Sequence, residues 1–327
     1  MPARERKPAI GQDHPMNNDQ PVLPPLIVVV GPTAVGKTAT AVRLCQDFSG
    51  EIVSADSRQI YRGMDIGTAK PTSMQLAATP HHLIDVVDPD QTLGLAEYQQ
   101  KAYAAITDVL GRDRTPFLVG GTGQWVHAVV QGWCVPQVSP DPQLRADLQA
   151  EAELFGSQQL HARLTEVDPA AAAKIDFRNV RRVIRALEVY LKTGVPISQQ
   201  QRAQTPPYRI LQIGLTVPRE MLYAHVDARV DRMMAEGLLA EVQGLIDSGY
   251  GLNLPAMSGL GYRQIGQHLT GHITLDRAVS LIKKETRRFI RQQYNWFRLN
   301  DPTIHWLDSS ADPPDAASQL VAAFLVS

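Results

Sequence analysis

The chain has 327 residues, 44% hydrophobic and 20% charged, an ordinary globular composition that excludes wholesale disorder. Lys and Arg number 32 against 33 Asp and Glu, so net charge supplies no bulk attraction to nucleic acid or membrane, and any polyanion site must come from local clustering. Two cysteines, Cys45 and Cys134, exclude a disulfide scaffold and a cysteine-based zinc site and fit a reducing cytoplasm.

Residues 1–22 are polar and proline-punctuated, and Arg4, Arg6 and Lys7 are followed by no apolar stretch, so the segment reads as a disordered tail and not a signal peptide. No apolar run approaches the roughly 20 residues of a spanning helix, and no membrane partner is expected. Leu26 to Val30 reads as a buried parallel strand ending at Gly31. A helix is predicted from Lys37 to Phe48, a strand from Glu51 to Ala55, a helix from Leu95 to Leu110 and a strand from Pro116 to Val119, ending in Gly120-Gly121. This alternation predicts an α/β fold, a parallel sheet flanked by helices, with ligands beyond the carboxyl ends of its strands. After Trp133 the character changes: Pro136, Pro140 and Pro142 mark a break, and a helical, strand-poor stretch follows. Residues 199–208 read as a polar loop, Ile210 to Leu215 as one more strand, and helices run on through Arg298. The expected organisation is an α/β core over residues 23–133 and 208–308, an all-helical insertion over 134–207, and a C-terminal tail over 309–327.

The turn after the first strand, Gly31-Pro32-Thr33-Ala34-Val35-Gly36-Lys37-Thr38, has the spacing G-x-x-x-x-G-K-[ST] between a strand and a helix, the context a phosphate loop requires. Its glycines let backbone N–H groups curl around phosphate oxygens, and the helix N-terminus adds a favourable dipole. Lys37 would neutralise the terminal phosphate, and Thr38 would place its hydroxyl on Mg²⁺. The motif identifies a polyphosphate site without naming the polyphosphate.

Asp56 follows the second strand, within Ser54-Ala55-Asp56-Ser57-Arg58-Gln59-Ile60-Tyr61-Arg62-Gly63-Met64-Asp65-Ile66-Gly67-Thr68-Ala69-Lys70-Pro71. At that position it would hold Mg²⁺, serve as a base toward an acceptor, or only cap a helix. This stretch, together with His81-His82-Leu83-Ile84-Asp85, Gly120-Gly121-Thr122-Gly123, Arg182-Val183-Ile184-Arg185-Ala186-Leu187-Glu188 and Gly261-Tyr262-Arg263, resembles the bacterial tRNA dimethylallyltransferase (tRNA isopentenyltransferase) family from about Pro25 to Trp306. The resemblance implies a P-loop NTPase-like core and an enzyme that transfers the dimethylallyl group of dimethylallyl diphosphate to the exocyclic amine of the adenosine immediately 3′ of a tRNA anticodon. It implies that Gly31 to Thr38 grip the diphosphate and that Asp56 is the general base. Thr122 would lie beside it at the reaction centre, and Arg229 would help hold the diphosphate. Contacts with the tRNA anticodon stem-loop are implied for Asp56, Ser57, Arg58, Gln59, Thr122 and Arg145, for Arg181, Arg182, Val183, Ile184 and Arg185, for Ser258, Gly259, Leu260, Gly261, Tyr262 and Arg263, and for Arg291, Trp296 and Arg298. The chain departs from the family pattern at Gln124-Trp125, Gln292 and Asn295.

The basic residues cluster as such a reading needs. Arg178, Arg181, Arg182 and Arg185 are spaced i, i+3, i+4, i+7 with no acid before Glu188, which predicts one arginine face toward phosphates. Lys283, Lys284, Arg287, Arg288 and Arg291 form a second arc, followed by Tyr294, Trp296 and Phe297, aromatics suited to core packing or to stacking on a splayed base. His81 and His82 lack a spaced third ligand for a metal site. The alternatives are prenylation of free adenine nucleotides, a P-loop small-molecule phosphotransferase, and a nucleotide-gated RNA-binding switch without catalysis. A cytoplasmic monomer is expected.

Overall fold

The computed structural model describes residues 23–200, 203–311 and 313–327, so the expected N-terminal tail lies outside the described residues. Strand β1 (Pro25–Val30) leads through the glycine-rich turn into α1 (Lys37–Asp47), then β2 (Gly50–Ser54), α2 (Ser73–Ala78), β3 (His81–His82), α3 (Leu95–Gly111), β4 (Thr115–Val119) and α4 (Gly123–Val130). Five helices come next: α5 (Pro142–Phe155), α6 (Ser157–Val167), α7 (Pro169–Ala172), α8 (Val180–Thr193) and α9 (Ile197–Gln200). The chain then forms β5 (Arg209–Thr216), α10 (Arg219–Glu236), α11 (Leu238–Asp247), α12 (Tyr262–Leu269), α13 (Leu275–Trp296), β6 (Ile304–Asp308) and α14 (Pro313–Val326).

The strands form one sheet in the order β3-β2-β4-β1-β5-β6, every pair parallel. Side chains alternate across a pleat, so Leu26, Val28 and Val30 of β1 join the core on one face of the sheet while Ile27 and Val29 join the core on the other. Burial on both faces is why β1 reads as an uninterrupted apolar run. The carboxyl ends of β1, β2 and β4 are tied together: the Gly120 N–H donates to the Val29 carbonyl (3.2 Å), the Ala55 N–H to Val119 (2.8 Å) and the Thr122 N–H to Ala55 (3.2 Å). Gly31 has φ +143° and passes so close to β5 that a Cβ would sit 2.4 Å from the Leu215 carbonyl oxygen. Only glycine lets the phosphate loop leave the sheet there.

Helices α5 to α9 pack around a core of their own, built from Leu148, Leu160, Leu164, Val183, Leu187 and Val189 with smaller neighbours. Residues 309–327 correct an expectation: they contain helix α14, which places Ala317 and Val321 in the sheet's second core beside Phe324. Asp315 pairs with Arg43 of α1 (2.6 Å) and Ser318 donates to Asp47 (3.1 Å). The i, i+4, i+7 spacing of Ala317, Val321 and Phe324 is an amphipathic stripe that a tail would not need. Strands β3 and β6, the two sheet edges, also lie outside the predicted elements, β3 because a two-residue strand carries no periodicity. Among the described residues no helix is long and apolar enough to cross a membrane.

Candidate active site

Three turns from sequence-distant strands converge at the carboxyl edge of the sheet, as expected for ligand sites on open α/β sheets. Two adjoining cavities open there, of about 700 Å³ and about 230 Å³, and both are lined by Thr33, Lys37, Asp56 and Arg229. The larger runs along the phosphate loop through Gly36, Lys37 and Thr38, past Ile52, Val119 and Met233. The smaller is walled by Ser57, Arg58, Thr122, Ser258 to Arg263, Phe289 and Gln293. Asp56 thus stands where the cavity along the glycine-rich loop meets the second one.

The electrostatics at this junction favour an anion. Burial and the nearby Arg229 guanidinium lower the Lys37 pKa to about 8, against an opposing pull from Asp56. Burial and Arg232 likewise lower that of Arg229. Asp56 offsets these two cations only in part, and a diphosphate would bring further negative charge. The Lys37 ammonium rests on the Pro32 carbonyl (2.8 Å), and Arg229 donates to the Thr33 hydroxyl (3.2 Å). One Asp56 carboxylate oxygen accepts the Arg58 N–H (2.9 Å). Thr122 accepts the Ser57 N–H through Oγ1 (3.0 Å) and donates to Ser57 Oγ (3.3 Å), so it fixes the backbone beside Asp56.

Thr38 lies in the first turn of α1 and lines the larger cavity. Among the described residues no cluster of three or more His, Cys, Asp or Glu side chains would cage a metal. A lone hydroxyl beside a bound diphosphate is nevertheless a donor set suited to Mg²⁺, which keeps several waters and takes substrate phosphate oxygens as ligands. Nε2 of His82 bonds to buried Glu51 (2.7 Å), while His81 bonds through Nδ1 to the Thr79 carbonyl (2.8 Å) and lines the larger cavity.

Several residues expected to touch RNA are placed differently. Val183 and Ile184 are buried in the core of the insertion, and Tyr262 is buried with its hydroxyl on Glu241 (2.5 Å). The Val183 and Ile184 side chains face the insertion's core because the same helical spacing that lines up the arginines turns the apolar residues inward, whereas Tyr262 keeps a place in the wall of the smaller cavity. Two of the four arginines of the expected face are paired with carboxylates. Arg178 precedes α8 and pairs with Asp176 (2.7 Å), while Arg185 (2.6 Å) and Arg145 (2.7 Å) converge on Glu188, which is fully buried. Burial alone would raise the Glu188 pKa, but bonds from Arg145, the Asp141 N–H and Arg185 hold it below the ordinary range. Arg181 and Arg182 remain exposed. In the second arc Lys283 pairs with Asp231 (2.6 Å) and Arg287 with Asp227, leaving Lys284, Arg288 and Arg291 exposed, with Arg298 beyond them. Arg263 pairs with Glu285, Arg58 donates to the Pro255 carbonyl (3.1 Å), and Gln59 to that of Ala69 (3.1 Å). Trp296 is half-buried, edge-on to His127 with ring centroids 5.4 Å apart.

Two functional side chains carry no motif. Glu241 on α11 accepts the N–H groups of Asp65 (2.8 Å), Ile66 (2.7 Å) and Gly67 (3.1 Å), pinning the loop that walls the larger cavity. Gln293 on α13 bridges the phosphate loop and the Gly121 turn. Its one signal in the sequence is its place on an otherwise apolar stripe with Ile282, Ile290 and Phe297.

Comparison with known proteins agrees with this site. A family model described as "IPP transferase" matches residues 59–300. The chain is 58% identical over 274 residues to the tRNA dimethylallyltransferase of Roseiflexus sp. (strain RS-1), covering 84% of this chain and 90% of that protein. It is 48% identical over 305 residues to that of Dehalococcoides mccartyi (strain ATCC BAA-2266 / KCTC 15142 / 195), covering 93% and 94%. In structure it is similar to the full-length tRNA isopentenylpyrophosphate transferase of Bacillus halodurans, with TM-score 0.68, 40% identity and coverage of 91% and 96%. It is also similar to a eukaryotic dimethylallyltransferase acting on tRNA, with TM-score 0.78, 25% identity and coverage of 91% and 78%. With a phosphate loop, a carboxylate and a second entrance meeting at one point, and with these relatives along most of its length, the chain belongs to the IPP transferase family.

Proposed function

We propose that the chain is a tRNA dimethylallyltransferase that moves the dimethylallyl group from dimethylallyl diphosphate to the exocyclic amine of the adenosine immediately 3′ of the anticodon. The observation that carries this reading is the junction of two cavities at Lys37, Arg229 and Asp56. The donor would enter along the phosphate loop and the extruded base through the entrance walled by Thr122 and Ser258 to Arg263. Extrusion costs about a few kcal/mol.

The amine is a weak nucleophile because its lone pair is delocalised into the ring. Asp56 accepts one of its protons as nitrogen bonds to the allylic carbon and the bond from that carbon to the diphosphate oxygen breaks. The negative charge gained by the departing diphosphate is met by loop N–H groups, Lys37 and Arg229, already in place before reaction. Thr38 would hold Mg²⁺, which supplies further charge neutralisation at the diphosphate when bound. Exposed Arg181 and Arg182 on the helical insertion, with Arg288, Arg291 and Arg298, would meet phosphates of the anticodon stem-loop. A cytoplasmic monomer is the accompanying proposal.

Labelled dimethylallyl diphosphate, Mg²⁺ and an unmodified tRNA test the reading. Transfer that disappears when the adenosine 3′ of the anticodon is changed is expected. Transfer to AMP but not tRNA would favour free-nucleotide prenylation, and ATP turnover without prenyl transfer would favour the phosphotransferase. The depressed Lys37 pKa adds a second expectation. Above pH about 8 the free enzyme loses that charge, so donor affinity should fall by up to about tenfold per pH unit until the pKa of the complex is reached. Calorimetric titration of the donor checks this, and Lys37→Met should bind weakly with that pH dependence gone.

A further inference from the structure

We infer that Gln293 is a positioning residue for the transfer step, its carboxamide setting the separation between the diphosphate-holding loop and the turn beside the base; this rests on the prenyl-transfer reading above. Gln293 is 5% exposed. Its Oε1 accepts the Thr33 N–H at 2.9 Å and its Nε2 donates to the Gly121 carbonyl at 3.0 Å. One partner is a donor and the other an acceptor, so the side chain must present one acceptor and one donor, as the neutral carboxamide does in this orientation and a carboxylate cannot. The contact is close as well as polar, because a Cβ on Gly121 would lie 2.4 Å from Nε2.

Each bridged residue leads directly to the chemistry. The Thr33 hydroxyl accepts from Arg229, on the leaving-group side. Gly121 precedes Thr122, which holds the Ser57 backbone beside Asp56 on the acceptor side. The two halves of the displacement therefore sit on chain segments far apart in sequence, and Gln293, carried by a third, ties them across the junction. Its bond also withholds the Thr33 N–H from any bound phosphate, leaving the diphosphate to the later N–H groups of the loop. Loss of about 1 Å in such alignment is worth on the order of 10² in rate, with little effect on the binding of either substrate separately.

The test compares wild type, Gln293→Leu and Gln293→Glu for kcat, for KM of both substrates, and for binding of inorganic pyrophosphate. Gln293→Leu should lower kcat on the order of 10²-fold while pyrophosphate affinity stays near wild type. Gln293→Glu should be as impaired at pH about 8, where a carboxylate faces the Gly121 carbonyl. It should recover relative to wild type as pH falls toward about 6, because a buried carboxyl has a raised pKa and once protonated restores both bonds. A merely structural role would not produce that pH-dependent ratio. Wild-type kcat in Gln293→Leu, or a Gln293→Glu to wild-type ratio flat with pH, would overturn the assignment, and the second criterion decides alone if Gln293→Leu fails to fold. Absence of prenyl transfer to tRNA by wild type itself would overturn the functional reading, and the inference with it.

Discussion

Asp56→Asn should lower prenyl transfer by a factor of about 10² to 10⁴ while leaving the fold and donor binding in place. The substitution keeps size and shape, and the Asn side-chain oxygen can still accept the Arg58 N–H that Asp56 accepts at 2.9 Å. What it removes is the carboxylate at the cavity junction that would take a proton from the amine as the carbon–nitrogen bond forms. It also removes a negative charge that opposes the lowering of the Lys37 pKa, so a somewhat lower Lys37 pKa should accompany the loss of turnover. Rapid-quench transfer rates, donor titration and a thermal melt separate these effects. Turnover within a few-fold of wild type would remove Asp56 from the chemistry and favour a binding switch. Equal loss of donor binding and rate would instead place it in the diphosphate site.

Glu188→Gln should destabilise the helical insertion by about 3 kcal/mol, the low end for breaking a buried ion pair, because Arg145 and Arg185 both reach solvent. Glu188 is fully buried, accepts from Arg145, Arg185 and the Asp141 N–H (2.8 Å), and so joins α5 to α8. Its pKa is depressed in the folded chain. Its stabilisation is therefore full above the ordinary carboxylate range and is lost as pH falls through the depressed value. The variant's deficit should accordingly shrink in acid. Because the insertion has a core separate from the sheet, donor binding should survive while tRNA affinity and protease resistance of residues 134–207 fall. An unchanged melt would show that the arginines and Glu188 contribute nothing net. Arg181→Ala with Arg182→Ala should behave oppositely, leaving the melt in place and flattening the salt dependence of tRNA binding.

Much of the site is legible in the chain itself because its chemistry is local. The phosphate loop is one continuous segment whose glycines, lysine and threonine act through their spacing, and the run Leu26 to Val30 announces a strand buried on both faces. Asp56 and Gly120 to Thr122 sit at strand ends, so a parallel sheet suffices to bring them to one edge. The arginines show where this kind of reading stops. Helical periodicity says which residues share a face but not what stands opposite. Glu188 lies on the same helix as Arg185, yet its burial, and its capture of Arg145 from another helix, depend on how α5 packs against α8.

The sequence alone carried the parallel-sheet class, through its strand–helix alternation, and the phosphate-loop spacing, which lies within one segment; Asp56 as the base came from the family resemblance. Only the tertiary structure decided which basic residues remain free for a phosphate, that residues 313–326 form a docked helix, and that Glu241 and Gln293 brace the walls of the site. Burial, ion pairing and long-range hydrogen bonds are properties of what a side chain meets after folding. Thr33 and Gln293 meet across a separation of 260 residues, and no local pattern encodes a contact of that range.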